Sequence, residues 1–206
     1  MLDNILRISG VVVLLAWLPS CTSLFELPGP VPDLYNLTPK STYPESLPEV
    51  DWQLVIEEPI ASGGLDSSRI ALRPSSTELK YFADSRWTER APKMVQTLLI
   101  ESFENTHKII AVGRQSLGLR SDFNLKIEMR EFQAEYFPSN EDAKVRIRIN
   151  VKIVKQPRRE IVASQSFEEI VSFNNDSKMH DIINAFDQAT GRVFKHIVMW
   201  TLTTAH

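Results

Sequence analysis

The sequence predicts an α+β fold: an antiparallel (mixed) β-sheet with two main helices packed on one face. Three observations lead there. Residues 123–173 carry long runs with an apolar residue at every second position, the spacing of strands that bury one face. Residues 88–107 and 177–203 repeat apolar residues at intervals of three and four, the spacing of helices with one buried stripe. The whole chain, 206 residues with 43% hydrophobic and 24% charged side chains, has an ordinary globular composition and enough length to bury a core without disulfides.

The elements follow in order. Trp52, Leu54 and Ile56 alternate with Gln53, Val55 and Glu57, a strand that stops at Pro59. Gly63-Gly64 marks a turn, Ser68–Arg73 a second strand and Glu78–Ala83 a third. Thr88 is placed to cap the first helix, and Pro92 fits within its first turn. Met94, Val95, Leu98, Leu99 and Phe103 form its apolar stripe, and Lys108–Val112 is a strand after it.

Phe123, Leu125, Ile127 and Met129 are apolar at odd positions, whereas Phe132, Ala134 and Tyr136 are apolar at even ones. One extra residue flips the faces, so a β-bulge is predicted at Arg130-Glu131. Residues 138–142 make a hairpin turn. Val145, Ile147, Ile149, Val151 and Ile153 then alternate with polar and basic residues, and 160–173 returns after a turn at Gln156-Pro157-Arg158. The second helix takes its cap from Asp176 or Ser177 and its apolar face from Met179, Ile182, Ile183, Phe186, Val193, Ile197 and Trp200.

Ahead of this domain, residues 8–18 are an apolar run too short for a spanning helix, which needs about 20 residues. They fit the hydrophobic region of a secretory signal. Leu18-Pro19-Ser20-Cys21 resembles a bacterial lipobox. The resemblance implies cleavage before Cys21, a thioether-linked diacylglycerol on its sulfur and acylation of the new amino terminus; several acyl chains anchor stably where one does not. Thr22 in place of Asp favours the outer membrane by analogy with enterobacterial sorting. Pro28, Pro30, Pro32, Pro39, Pro44 and Pro48 predict an extended tether, with 33–37 a short ordered stretch that docks through Leu34 or Tyr35. The organisation expected is a signal peptide over 1–20, a lipidated Cys and tether over 21–50, and one domain over 51–206.

Several functions are excluded or unsupported. A net charge of −3 argues against general nucleic-acid binding, which needs a basic surface. One cysteine permits no internal disulfide and no Cys-based zinc site. His107, His180, His196 and His206 lack metal-helix spacing, and neither a Walker-type phosphate loop nor a G-x-S-x-G elbow occurs. No catalytic residue, metal or cofactor is expected. Ser/His/Asp triads meet only in space, so a lipoprotein hydrolase would have to show a nucleophile beside a histidine in a cleft.

Residues 64–74, GLDSSRIALRP, followed by 79–92, LKYFADSRWTERAP, resemble the ABC-type transport auxiliary lipoproteins, the group that includes PqiC-like components of intermembrane lipid transport. Residues 32–37 match the family's opening segment, and 132–136 and the closing helix also fit. The resemblance implies an outer-membrane lipoprotein facing the periplasm, with a periplasmic MCE-domain protein and its ABC permease and ATPase as partners. It implies phospholipid or another hydrophobic cargo and a possible homo-oligomer. The alternative is a stand-alone periplasmic lipoprotein that binds one hydrophobic ligand in its own cavity.

Five residues are candidates for meeting a partner. Arg69 offers a bidentate fork to a partner carboxylate, or pairs internally with Asp66 or Asp84. Tyr81 and Trp87 sit where sheet meets helix, as interface anchors or as core. Arg146 and Arg148, with Lys144 and Lys152, form a basic row that meets anionic headgroups or an acidic partner, or is a solvated face offset by carboxylates such as Glu128.

Overall fold

The computed structural model describes residues 31–115, 120–137 and 143–206. The signal segment, Cys21 and the turn expected over 138–142 lie outside these. The described elements are β1 (Asp33–Tyr35), β2 (Val50–Ile56), β3 (Ile60–Ala61), β4 (Arg69–Arg73), β5 (Lys80–Trp87), α1 (Ala91–Glu104), β6 (Ile109–Gly113), β7 (Phe123–Glu135), β8 (Ala143–Lys155), β9 (Glu160–Phe173) and α2 (Met179–Thr204).

β7 is the spine of a nine-stranded mixed sheet. Along one edge it takes β2, β3 and β4 in succession, all parallel, at Leu54↔Phe123, Ile60↔Glu128 and Leu72↔Ala134. Along the other it pairs antiparallel with β8 over its whole length, and β8 pairs antiparallel with β9. β6 adds parallel to β2, β5 antiparallel to β4, and β1 parallel to β5. The predicted bulge is present: Met129 faces Ile149 and Glu131 faces Arg148, with Arg130 as the extra residue. It moves the buried set from Leu125, Ile127 and Met129 to Phe132 and Ala134 without breaking the core.

Both helices cover the apolar face of this sheet. Leu99 and Phe103 of α1 and Phe186, Val193 and Ile197 of α2 share one hydrophobic cluster with Val145, Ile147 and Ile149 of β8. Buried Gln96 donates from Nε2 to the Ile56 carbonyl at 2.8 Å, tying α1 to β2.

Both helices start later than the caps predict. α1 begins at Ala91 because β5 runs on to Trp87, and the Thr88 amide then bonds the Tyr35 carbonyl at 2.9 Å. Arg90 takes the cap position without a side-chain bond, and Pro92 needs no partner in the first turn. Lys178, not Asp176 or Ser177, precedes α2; the Ser177 amide closes a turn on the Asn174 carbonyl at 3.0 Å.

The tether is also shorter than expected. The compact unit begins at Pro32. β1 joins the sheet through the half-buried Tyr35, and Leu37 and Leu47 are buried in the main cluster. Asp187 of α2 accepts from the Thr38 amide (2.7 Å) and hydroxyl (3.0 Å), and Ser102 of α1 accepts from the Lys40 amide at 2.9 Å. Proline denies this stretch regular hydrogen bonding, but each fully buried leucine still contributes about 1.5–3 kcal/mol. The segment from 32 to 50 is therefore part of the body.

A candidate partner-binding groove on strands 4 and 5

β4 and β5 pair irregularly. Arg69 faces Arg86 and Ala71 faces Tyr81, so β5 loops out four residues where β4 has one. The excess brings Tyr81 beneath Arg69, whose guanidinium carbon lies 3.7 Å from the ring centre. The Tyr81 hydroxyl donates to the Gly64 carbonyl at 3.1 Å and fixes the ring. A Cβ at Gly64 would meet the tip of the exposed Leu79 side chain, which would have to swing aside. The result is an open groove of ≈ 390 Å³ lined by Arg69, Leu79, Tyr81, Phe82 and Arg86 among others.

Its charge is unbalanced. Like charges directly opposite on neighbouring strands repel, and neither arginine has a carboxylate partner among the described residues. Arg86 donates only to the Ser85 carbonyl, at 3.5 Å. Asp66, one expected partner of Arg69, is held instead by Arg90, whose Nε lies at 2.8 Å and whose Nη1 reaches Glu58 at 3.1 Å. The other, Asp84, forms no ion pair among the described residues. Two guanidiniums, one stacked on the Tyr81 face, beside an exposed leucine have the donor geometry that suits a carboxylate or phosphate. Arg86 was legible only as a residue of the family-like stretch; nothing in the sequence announced that the irregular pairing sets it against Arg69.

The other three candidates fare differently. Trp87 is 1% exposed and stacks edge-on against Phe132 and Phe186 at 5.9 and 5.2 Å. It is core, and offers no surface to a partner. Arg146 is engaged by Glu135 at 3.1 Å, Glu131 at 3.3 Å and Glu168, and Arg148 by Glu131 at 2.7 Å. Burial pulls the Arg146 guanidinium down, but its bonds to Glu168 and Glu135 more than offset this and keep it charged. Lys144, Arg146 and Arg148 are thus neutralised internally, by Glu131, Glu135 and Glu168 and not by Glu128, which faces Asn150 and pairs with Arg130; Lys152 faces Lys126 and forms no ion pair among the described residues.

The family model for the ABC-type transport auxiliary lipoprotein component matches residues 34–198. The chain belongs to that family. A crystal structure of XCC0632 from Xanthomonas campestris matches this auxiliary lipoprotein at 31% identity and TM-score 0.78, covering 84% of this chain and 95% of that one. A crystal structure of an uncharacterized protein, 13% identical with TM-score 0.63, shares the fold over 82% of this chain and 97% of that one. The uncharacterized protein bll6063 of Bradyrhizobium diazoefficiens is 31% identical over 149 residues, which is 72% of this chain. The auxiliary lipoprotein spans only 39% of that curated relative's length.

Two further features of this family member bear on the alternatives. A cleft of ≈ 630 Å³ opens at the sheet end between Trp52, Phe123 and Leu202, rimmed by Glu49, Asp51 and Lys155. His196 meets Glu169 at 3.4 Å, and no serine hydrogen-bonds a histidine among the described residues.

Proposed function

We propose that this chain is the non-catalytic, lipid-anchored auxiliary component of an ABC/MCE-type lipid transport system. Acyl chains on Cys21 hold it at the outer membrane, facing the periplasm. The folded body docks the periplasmic MCE-domain component, which works with an inner-membrane permease and ATPase, and so completes the route for phospholipid or another hydrophobic cargo. The reading is carried by the family match from residue 34 to 198, which takes in almost the whole body that begins at Pro32.

Within that body we assign docking to the groove of Arg69, Tyr81 and Arg86, which has two uncompensated guanidiniums to offer a partner carboxylate. A buried charge pair truncated on one side costs an interface about 2–5 kcal/mol, and a partly exposed one less. The double variant Arg69→Glu/Arg86→Glu should therefore weaken capture at least about tenfold. The test is co-purification of the lipidated protein with the MCE-domain component from native membranes. Capture of wild type and loss with the double variant supports the proposal. Repeated failure of wild type, or an unmodified Cys21 thiol by mass spectrometry, overturns it. Equal capture of both proteins overturns the groove assignment alone. The cleft at Trp52 and Phe123 favours one second reading, a stand-alone binder of a hydrophobic molecule. That reading predicts lipid bound to the purified protein with no transport partner present.

A further inference from the structure

β9 is fourteen residues long and, among the described residues, pairs only with β8. Among the described residues its outer edge is the longest free edge of the sheet, beside three residues in β1 and five in β6. A free edge is a row of unpaired backbone donors and acceptors, and proteins commonly blunt one with lysine, proline or shortness. β9, EIVASQSFEEIVSF, has neither lysine nor proline. It exposes aliphatics instead: Ile161 is 56% exposed, Val162 40% and Ile170 42%.

The strand is also self-complementary. Paired antiparallel with itself about Ser166, it sets Gln165 against Phe167, Ser164 against Glu168 and Ala163 against Glu169. The same register brings Val162, at the bulge, opposite Ile170. Exposed Val162 and Ile170 then meet each other, and no carboxylate faces another, as cross-strand pairing requires. Glu168 and Glu169 keep their own partners, Arg146 on β8 and His196 on α2.

The edge is held ready. The β8–β9 register is regular from Ala163 to Phe173, with its irregularity confined to the Ile161–Ala163 end, so the symmetric run 163–169 is straight. Phe167 stacks against Trp200 of α2 at 5.5 Å and fixes the strand from below.

We propose that β9 is a homotypic docking edge: two copies of this chain join their sheets by antiparallel β9–β9 pairing about a two-fold axis through Ser166. This goes beyond the docking role and does not rest on it, since the groove lies on β4 and β5.

The register gives a sharp test in the full-length protein in intact cell envelopes. Two copies of a residue on the axis lie within disulfide reach, whereas two copies of residue 164 are separated by four residue pairs' length, about 13 Å along the strand. That is far beyond the ~7 Å limit between Cα atoms. Mild oxidation of Ser166→Cys should give a reducible dimer, while Ser164→Cys and wild type, which controls for Cys21, should not. Adding Val162→Lys and Ile170→Lys to Ser166→Cys should abolish the dimer. These positions are exposed, so an unchanged circular dichroism spectrum shows that folding is intact. The proposal is overturned if Ser166→Cys stays monomeric, if Ser164→Cys links equally well, or if the lysines leave the dimer intact in the folded protein.

Discussion

Two arginine pairs sit on this sheet, and they have opposite circumstances. Arg146 and Arg148 lie on β8 between two strands that carry glutamates, and each finds a carboxylate within 3.1 Å. Arg69 and Arg86 face each other across β4 and β5 with no carboxylate partner among the described residues. In sequence, Arg146 and Arg148 form the more conspicuous basic row. In the fold, Arg146 and Arg148 are spent internally, whereas Arg69 and Arg86 keep no carboxylate partner among the described residues. Charge count along a strand therefore says little about binding; what the neighbouring strands place opposite decides it.

Breaking the neutralised side should have the largest effect. Glu135 is 3% exposed and serves Arg146 and, at 3.7 Å, Lys144. Glu135→Ala leaves both cations without that carboxylate at the buried end of the row. Removing one member of a fully buried pair costs about 3–5 kcal/mol. Both partners here reach solvent, so about 2–3 kcal/mol is expected, read as a lower urea midpoint with an unchanged slope.

On the groove side the expected loss is smaller. Tyr81→Ala removes a half-buried ring and its bond to Gly64, and about 1–2 kcal/mol should be lost. Tyr81→Phe should cost about 1 kcal/mol or less and keep the platform under Arg69. If both variants cost the same, the ring contributes nothing to the groove's shape. Smaller still is Arg148→Met. Its one carboxylate is Glu131, and it is 39% exposed, so the cost should be at most about 1 kcal/mol. A larger loss in thermal unfolding would mean that the row is more tightly coupled than its geometry indicates.

How much of this was legible follows from which interactions are local. The alternation of β7 and β8 and the parity switch at Arg130 were readable, because side-chain direction in a strand depends only on position. The partners of the β8 arginines were not. The bulge shifts the register by one residue, so Arg148 meets Glu131 while Glu128 meets Asn150. The parallel additions of β2, β3 and β4 to β7 join segments far apart in sequence, and no short-range pattern encodes them. Leu37 and Leu47 were missed because isolated apolar residues among prolines have no period. The helix caps failed because Thr88 and Ser177 both commit their backbone amides to neighbouring turns and strands. Of the groove, Arg69 and Tyr81 were legible as candidates, but the irregular pairing that adds Arg86 was not.

The finest test of the contrast is one of sign. Arg86→Met removes one of the two opposed cations, keeps an aliphatic stem over the sheet and leaves Arg69 on the Tyr81 ring. If the groove is an uncompensated pair, the variant should be as stable as wild type or more stable, by up to about 0.5 kcal/mol. Salt should act in the same sense. At 0.5 M the charges are screened over a shorter distance than the ~10 Å that applies at 0.1 M. The repulsion between Arg69 and Arg86 then fades, and the advantage of Arg86→Met over wild type should shrink. For Arg148→Met the same salt weakens an attraction, so its deficit should shrink instead. A destabilised Arg86→Met variant, measured at low salt by thermal unfolding, would mean that Arg86 already has a counter-charge within the chain. The case for an external ligand in the groove would then be lost.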